Sequence, residues 1–330
     1  MPKPNPHRPF APSSDQMALA PQISGNTING LGETTKRNPS IVYWATNPDT
    51  IAHGEMQKWF YTVDPCHPDF AKERAKRAKI LNAPLPTKGP IPAELKPEEW
   101  LKQLGKFVSK GVCDKVGVAN MNQLWAFEGE QITHNKVVVL GVQHDYNRIA
   151  QAPTPEAGAE VMVQYNRAAF AAKAVAGLLQ ELGWEAIPVT GPMASKFAMI
   201  PAAIEAGFGE LGKHGSIINP EFGSSFRLSA VLTDAPIATT PKQDHGVDAF
   251  CQACRICEDA CPPFAISSEK QMVRGNKKWY VDFDKCLPFF NEHQGCAICI
   301  AVCPWSRPGV GLNLAEKLAK RAGRLEPDGS

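Results

Sequence analysis

Residues 251–262 read CQACRICEDACP, and residues 286–304 read CLPFFNEHQGCAICIAVCP. These two stretches hold eight of the ten cysteines of the 330-residue chain. A small secreted domain uses cysteines at this density for disulfides, whereas a C-x2-C-x2-C run in a chain long enough to bury an ordinary core indicates a metal site. The two stretches therefore predict a metal-binding module between Cys251 and Cys303.

The spacing of the cysteines indicates which kind of metal centre they form. The first stretch has the C-x2-C-x2-C-x3-C-P spacing of bacterial ferredoxins, in which the fourth cysteine reaches the other cluster. The second has a remote cysteine, a wider gap than in a plain ferredoxin, and then C-x2-C-x3-C-P. Zinc is the alternative metal, but paired C-x3-C-P endings favour iron and sulfur. We therefore predict two [4Fe–4S] clusters, one held by Cys251, Cys254, Cys257 and Cys303 and the other by Cys261, Cys286, Cys296 and Cys299.

The composition excludes some classes of function. The 35 basic and 33 acidic residues leave a formal charge of +2 without a long basic run, so no nucleic-acid partner is expected. The chain has no run of 18 apolar residues, and its start has neither an apolar signal region nor a twin-arginine pair. We expect a cytoplasmic protein, the alternative being export by the twin-arginine route with the signal removed. Cys66 and Cys113 are expected to be small buried residues.

Periodicity divides the chain into four parts. Residues 1–60 predict an extended arm that wraps or links, residues 61–245 an α/β domain, residues 246–310 the ferredoxin-like module, and residues 311–330 a tail. Within the α/β domain, strand and helix patterns alternate, which favours a sheet of mixed or parallel strands. The predicted strands are 136–142, 185–189, 216–218 and 227–233, and the predicted helices are 155–182 and 195–206.

The run AIEAGFGELGKHGSIINPEFGSSFRLSAVLTD at residues 203–234, together with both cysteine stretches, resembles the reductive dehalogenases. These are cobalamin-dependent iron–sulfur enzymes that remove halogen from organic halides. The resemblance covers about residues 110–310. It implies an α/β (α+β) domain of nitroreductase-like type that holds base-off cobalamin, with one cluster close enough to reduce cobalt. It also implies an organohalide substrate and a soluble ferredoxin- or flavodoxin-type electron donor, or a membrane anchor if the protein is exported.

The resemblance also assigns catalytic residues. Tyr165, in the long helix, matches the family tyrosine that protonates the carbon losing halogen. A cation should stabilise the resulting phenolate, because a phenol with a pKa near 10 is a reluctant donor. Arg227 is the candidate, since Ser225 stands where the family often has an arginine. Without the resemblance, Tyr165 would be a core residue and Arg227 a solvated or paired one.

Cofactor contacts are predicted around the glycine-rich turn. His214 is a candidate for contact with the corrinoid, and Lys196 for a polar contact that the family makes from a Gly-Asn pair, replaced here by Thr190-Gly191. Glycines are candidates for close approach to the nucleotide tail, although turns require glycine for other reasons. These glycines are Gly207, Gly209, Gly212 and Gly215.

Three functions compete at this point. Reductive dehalogenation is favoured by Tyr165 together with the glycine-rich and cysteine-rich runs. An epoxyqueuosine reductase, a related cobalamin and iron–sulfur enzyme, would have an acidic residue near residues 189–192, where this chain reads VTGP. A ferredoxin-type electron carrier fused to a binding domain would contain the clusters and no corrinoid.

Overall fold

A four-stranded sheet forms the centre of the computed structural model, which describes residues 5–193 and 196–323. Its order is β1-β2-β6-β3, and all three pairings are antiparallel. A short hairpin joins β4 to β5, and a second joins β7 to β8. The strands are β1 Lys115–Asn120, β2 Lys136–Gln143, β3 Ala186–Val189, β4 Glu210–Leu211, β5 Ile217–Ile218, β6 Phe226–Thr233, β7 Gln271–Val273 and β8 Asn276–Lys278.

The expected mixed or parallel sheet is therefore wrong. Strands β2 and β3 do run in the same direction, as a strand-helix-strand pattern predicts. They are not neighbours, however, because β6 lies between them and pairs with both. The pattern along the chain cannot reveal this insertion, since β6 follows β3 by more than thirty residues.

Thirteen helices are assigned in the described residues. They are α1 Ser14–Met17, α2 Gly25–Ile28, α3 Gly54–Phe60, α4 Asp69–Asn82, α5 Pro97–Ser109, α6 Tyr146–Ile149, α7 Pro155–Glu181, α8 Met199–Glu205, α9 Val247–Ala253, α10 Ile256–Ala260, α11 Phe283–Glu292, α12 Ile298–Ala301 and α13 Val310–Arg321. The predicted long helix is confirmed by α7. The helix predicted over 195–206 begins at Met199, and Ser195 lies outside the described residues.

Strand β2 is buried on both faces, as its run KVVVLGV predicts. Val138, Leu140 and Val142 pack with α5 and α7 on one face. Val137 and Val139 pack with α8 on the other face. Alternate residues of a strand point to opposite faces, so this one strand joins the two main cores.

Helix α7 lies across the sheet and is about 40 Å long at 1.5 Å per residue. Pro155 occupies its first turn, where a missing N–H costs nothing, and Gly183 follows its end with a φ of +82°. Its sheet-facing side is rich in fully buried alanines, which allow close approach to β2 and β6. Side chains such as Tyr165, near the middle of α7, are consequently held in a fixed position over the sheet.

The cysteine module, residues 246–310, packs against the α/β domain through the turn between β4 and β5. The arm wraps this module rather than extending into solvent. The Asn5 side chain donates to the carbonyl of Ala260 at 2.9 Å, and the Tyr43 hydroxyl donates to Asn291 at 2.8 Å. Helix α13, in the predicted tail, packs on the module through Leu318. Residues 1–4 and 324–330 of these predicted parts lie outside the described residues.

No helix among the described residues combines the length and the hydropathy that a membrane span requires.

Candidate functional site

Four of the eight cysteines surround one small enclosed space. Cys251 lies in the last turn of α9, Cys257 lies in α10 and Cys303 follows α12. Three separate elements therefore bring these thiols together. Cys254, in the turn between α9 and α10, lines the same space. Lys213 and other residues of the α/β domain close it from the opposite side. This grouping is the one that the ferredoxin spacing predicts for the first cluster.

The other four cysteines form a second group beside the first. Cys261, Cys286 and Cys299 pack together with Ile266 and Val281 in an apolar shell. Cys296 lies within electrostatic range of Cys286 and Cys299. The wide gap between Cys286 and Cys296 is occupied by the second half of α11 and the turn after it. The extra residues of this wide gap therefore enlarge the module, and all four cysteines remain in the group.

Burial raises the pKa of seven of these eight thiols and so favours their protonated form. It raises the pKa of Cys251 and Cys257 to about 12 in the first group, and that of Cys286 and Cys296 to about 12 in the second. Iron binds thiolate, and the charge of a bound metal reverses this preference for the protonated form. Eight cysteines in two groups of four, each buried or partly buried, fit two [4Fe–4S] clusters.

Of the two isolated cysteines, Cys113 is fully buried in the main core, as expected. Cys66 is exposed, so the expectation that it is buried is wrong. Neither residue lies in the two cysteine groups.

A cavity of about 790 Å³ lies where the α/β domain, the arm and the cysteine module meet. Helices α4 and α7 and the loop after β3 form one side, and aromatic residues of the arm and of α11 form the other. Gln294 and Gly295, which directly precede Cys296, also line it. The second cysteine group is therefore the one that adjoins the cavity.

Tyr165 and Arg227 meet in this cavity. Tyr165 projects from α7, and the guanidinium carbon of Arg227, on β6, lies 5.1 Å from the centre of the phenol ring. The Nε of Arg227 is buried and has no hydrogen-bond partner in the described part of the chain. The structure thus places a cation with a free donor against the phenol that the resemblance singled out.

Arg77, which sequence reasoning did not single out, supports this arrangement. Its guanidinium donates to the carbonyl of Tyr165 at 3.4 Å and also to the carbonyl of Gly191. It thereby ties α7 to the loop after β3 from its position on α4. Burial lowers the pKa of Arg77 from its usual value, which still leaves it charged at neutral pH. Arg74, one helical turn earlier, lines the same cavity.

Ser225 contacts a histidine that the sequence did not single out. Ser225 is buried, and its hydroxyl lies 3.3 Å from Nδ1 of His144, which follows β2. Burial, and then the charge of Arg227, lower the pKa of His144 well below its usual range. The imidazole is therefore neutral and does not replace the cation that the family has at Ser225. No motif in the sequence indicated His144.

The predicted cofactor contacts do not all reach the cavity. His214 lies beside the first cysteine group and contacts the Ser224 hydroxyl at 3.0 Å through Nε2, and burial lowers its pKa to about 4. Lys196 does not line the cavity, and its ammonium lies 3.6 Å from Glu130. The predicted glycines are required by close contacts within the chain. The contacting residue is Pro241 for Gly207, Ile218 for Gly209, His214 for Gly212 and Val281 for Gly215.

Known proteins are similar to the cysteine module and to the central part of this chain. Residues 250–306 match the 4Fe-4S dicluster domain family. The tetrachloroethene reductive dehalogenase of Dehalobacter restrictus is 32% identical over 218 residues, which are 62% of this chain and 39% of that protein. An epoxyqueuosine reductase of Synechococcus is 31% identical over 144 residues, covering 38% of this chain and 40% of that one.

Two solved structures extend the comparison to the fold. The catabolic reductive dehalogenase NpRdhA in complex with 3-bromo-4-hydroxybenzoic acid superposes with a TM-score of 0.71 at 23% identity, over 92% of this chain and 47% of that one. A reductive dehalogenase described for B12-dependent dehalogenation gives 0.66 at 22%, over 91% and 46%. This chain therefore spans less than half the length of these relatives. In sequence the central part of the chain is similar to the tetrachloroethene reductive dehalogenase, and in fold nearly all of the chain is similar to these two structures.

Proposed function

We propose that this chain is a reductive dehalogenase that binds cobalamin in the 790 Å³ cavity. The observation that carries the proposal is the meeting of Tyr165, Arg227 and the turn before Cys296 around one cavity. A proton donor, a cation and an electron route are the three parts that such a reaction requires. The net reaction consumes an organic halide, two electrons and one proton, and yields the reduced organic product and halide.

The cavity fits a large, flat, amide-rich cofactor. Three glycines, Gly158, Gly191 and Gly295, line it and keep side chains out of its walls. The Oε1 of Gln294 is buried without a partner among the described residues, while its Nε2 donates to the carbonyl of Phe60 at 3.1 Å. This free acceptor matches the amide donors that surround a corrinoid. When bound, cobalamin supplies a Co(I) centre that delivers electrons to the carbon–halogen bond.

The protein's own part is to supply a proton in a dry site. Tyr165 donates its phenol proton to the carbon that loses halogen, and Arg227 stabilises the phenolate that remains. Arg77 fixes the Tyr165 backbone through its carbonyl. Apolar and aromatic residues dominate the cavity walls and exclude water, which strengthens the attraction between guanidinium and phenolate.

The two cysteine groups would hold the clusters that carry electrons to this site. Because the second group adjoins the cavity, a reduced ferredoxin or flavodoxin would deliver electrons to the cluster of the first group. A plain electron carrier would have no need for a large cavity beside the second group. An epoxyqueuosine reductase is disfavoured because no carboxylate lines the cavity among the described residues.

Cofactor analysis of anaerobically purified protein tests the proposal. We expect about eight irons per chain and, after reconstitution, stoichiometric base-off cobalamin with its Co(II) EPR signal. The loaded protein should then release halide from an organohalide under a low-potential reductant. A protein with eight irons that binds no cobalamin under any reconstitution would contradict the proposal and leave the electron carrier.

The charge of the cavity favours a negatively charged substrate. Arg74, Arg77 and Arg227 line it, and none of the three has a carboxylate within ion-pair distance in the described residues. A halogenated benzoate or phenolate would neutralise part of this charge, whereas a chloroethene would not. The structural relative NpRdhA was solved with such a ligand, 3-bromo-4-hydroxybenzoic acid. We propose a halogenated aromatic anion as the substrate class.

Replacing Arg74 with Gln tests this substrate class without disturbing Arg77. A hydrogen bond from a charged group contributes about 1.5–3 kcal/mol, so KM for a halogenated hydroxybenzoate should rise about tenfold or more, with kcat nearly unchanged. KM for a neutral haloalkene should not change. Lys76→Gln is the matched control, because Lys76 lies on the same helix, is exposed and does not line the cavity. Equal effects of both variants on both substrates would contradict the proposal.

A further inference from the structure

The first cysteine group has a buried charge pair in its wall. Lys213 follows β4, and its side chain is only 2% exposed, while that of Glu258, in α10, is 9% exposed. The ammonium contacts the Glu258 carboxylate directly and donates to the carbonyl of Cys254 at 2.9 Å. It also lies 5.0 Å from the centre of the Trp279 ring. The ammonium thus has two hydrogen-bond acceptors and one aromatic ring around it within the protein.

Burying this charge pair costs free energy. Removing two charges from water costs several kcal/mol per ion, and a buried pair often stabilises a fold no more than apolar residues of the same size would. Structural stability is therefore a weak reason for an ion pair at this place. The position of the pair relative to the cysteines gives a better reason for it.

The two charges are not equally close to the cluster site. Lys213 lines the same enclosed space as Cys251, Cys254 and Cys303, whereas Glu258 lies behind it and does not. The backbone N–H of Lys213 also donates to the Cys251 thiol. The positive end of the pair therefore faces the cluster, and the negative end is one side chain further away.

A cluster held by four thiolates gains one more negative charge when it is reduced, and hydrogen bonds and charge around the sulfurs set its potential. A buried ammonium stabilises the reduced form more strongly than an exposed one would, because little water screens it. His214, the other ionisable residue from this turn at the site, is neutral at pH 7. It adds no competing charge.

We propose that the Lys213–Glu258 pair sets the reduction potential of the first cluster, with Lys213 raising the potential and Glu258 moderating that effect. The inference rests on the clusters alone and does not depend on cobalamin or on dehalogenation.

Two opposite substitutions test the proposal. Lys213→Met removes the nearer charge and should shift one cluster potential to a more negative value, whether or not the Glu258 carboxyl then takes up a proton. Glu258→Gln keeps a hydrogen-bond acceptor for the ammonium and should shift the same potential to a more positive value. We expect each shift to correspond to at least a tenfold change in the one-electron equilibrium, about 59 mV.

The measurement is a dithionite titration with mediator dyes, followed by EPR, on protein that carries both clusters. The potential of the second cluster should remain unchanged and serves as an internal reference. Asp259→Asn is the matched control, since Asp259 is adjacent to Glu258 in sequence but pairs with Arg255 in solvent, at 68% and 71% exposure. It should shift neither potential.

Three results would overturn the proposal. They are unchanged potentials in both variants, shifts in the same direction, and an equal shift in Asp259→Asn. If Lys213→Met fails to assemble its iron, Glu258→Gln decides alone, because it preserves the ammonium and its contacts. Failure of the dehalogenase proposal would leave these potentials unaffected, so the two proposals are tested separately.

Discussion

Replacing Tyr165 with Phe is expected to lower kcat for an organohalide by about 10²- to 10⁴-fold, the range that a positioned proton donor contributes. The ring remains, so its packing on α7 and its contact with Arg227 are preserved. Only the hydroxyl is lost, and the carbon must then take its proton from a donor that is not positioned for the transfer. Turnover is measured as halide release under a reductant, together with iron and cobalamin content.

The cavity contains a second phenol that serves as the control. Tyr61 lines the same space from the arm side, and its side chain is 46% exposed. Burial of part of its ring raises its pKa despite the nearby charges of Arg74 and Arg77. No cation of the described residues stacks on the Tyr61 ring, so Tyr61→Phe should keep kcat within about twofold of the unmodified protein. Full turnover in Tyr165→Phe, with normal cofactor content, would exclude the proton-donor role.

The cluster cysteines could be predicted from sequence because their information is local. Short spacings direct successive thiolates at one cluster, and only Cys261, Cys286 and Cys303 had to be assigned by analogy with known ferredoxins. In the structure, Cys251, Cys254, Cys257 and Cys303 line one space, and Cys261, Cys286 and Cys299 lie in one apolar cluster, which Cys257 also joins. Strand β2 and helix α7 were predictable for a similar reason, since burial leaves a periodic pattern within one segment.

The cavity could not be predicted in the same way, because it is assembled from distant segments. Arg74 and Arg77 lie in a basic helix whose pattern looks like a solvated face, and only tertiary packing brings them to Tyr165. Lys196 illustrates the converse. Its place in the sequence suggested a contact with the cofactor, but a carboxylate elsewhere in the fold, Glu130, holds its side chain.

The prediction of a mixed or parallel sheet was wrong for a related physical reason. Alternation of strands and helices carries information about each segment, while the choice of neighbour depends on which strand returns to the centre. Here β6 inserts between β2 and β3 and carries Arg227 onto the face that α7 covers. The strand that invalidates the parallel prediction is therefore the one that positions the predicted cation.

Replacing Cys286 with Ala is expected to remove the second cluster and nearly abolish dehalogenation. Cys286 is the ligand from the remote position in α11, so no neighbouring cysteine of the second stretch can take its place. Iron content should fall from about eight to about four per chain, because the ligands of the first cluster are separate residues. Iron analysis and EPR of the reduced protein measure the loss, and halide release measures its effect on turnover.

Cys66→Ala is the matched control for this substitution, since Cys66 is exposed and belongs to neither group. It should keep its iron content and its activity. A variant at Cys286 that retained eight irons and full turnover would show that Cys286 is not a ligand of the second cluster. If it instead lost the second cluster but retained turnover, electrons would reach the cavity by another route. Gln294 and Gly295 lie between Cys286 and Cys296 and also line the cavity. This position favours a route of electrons through the second cluster.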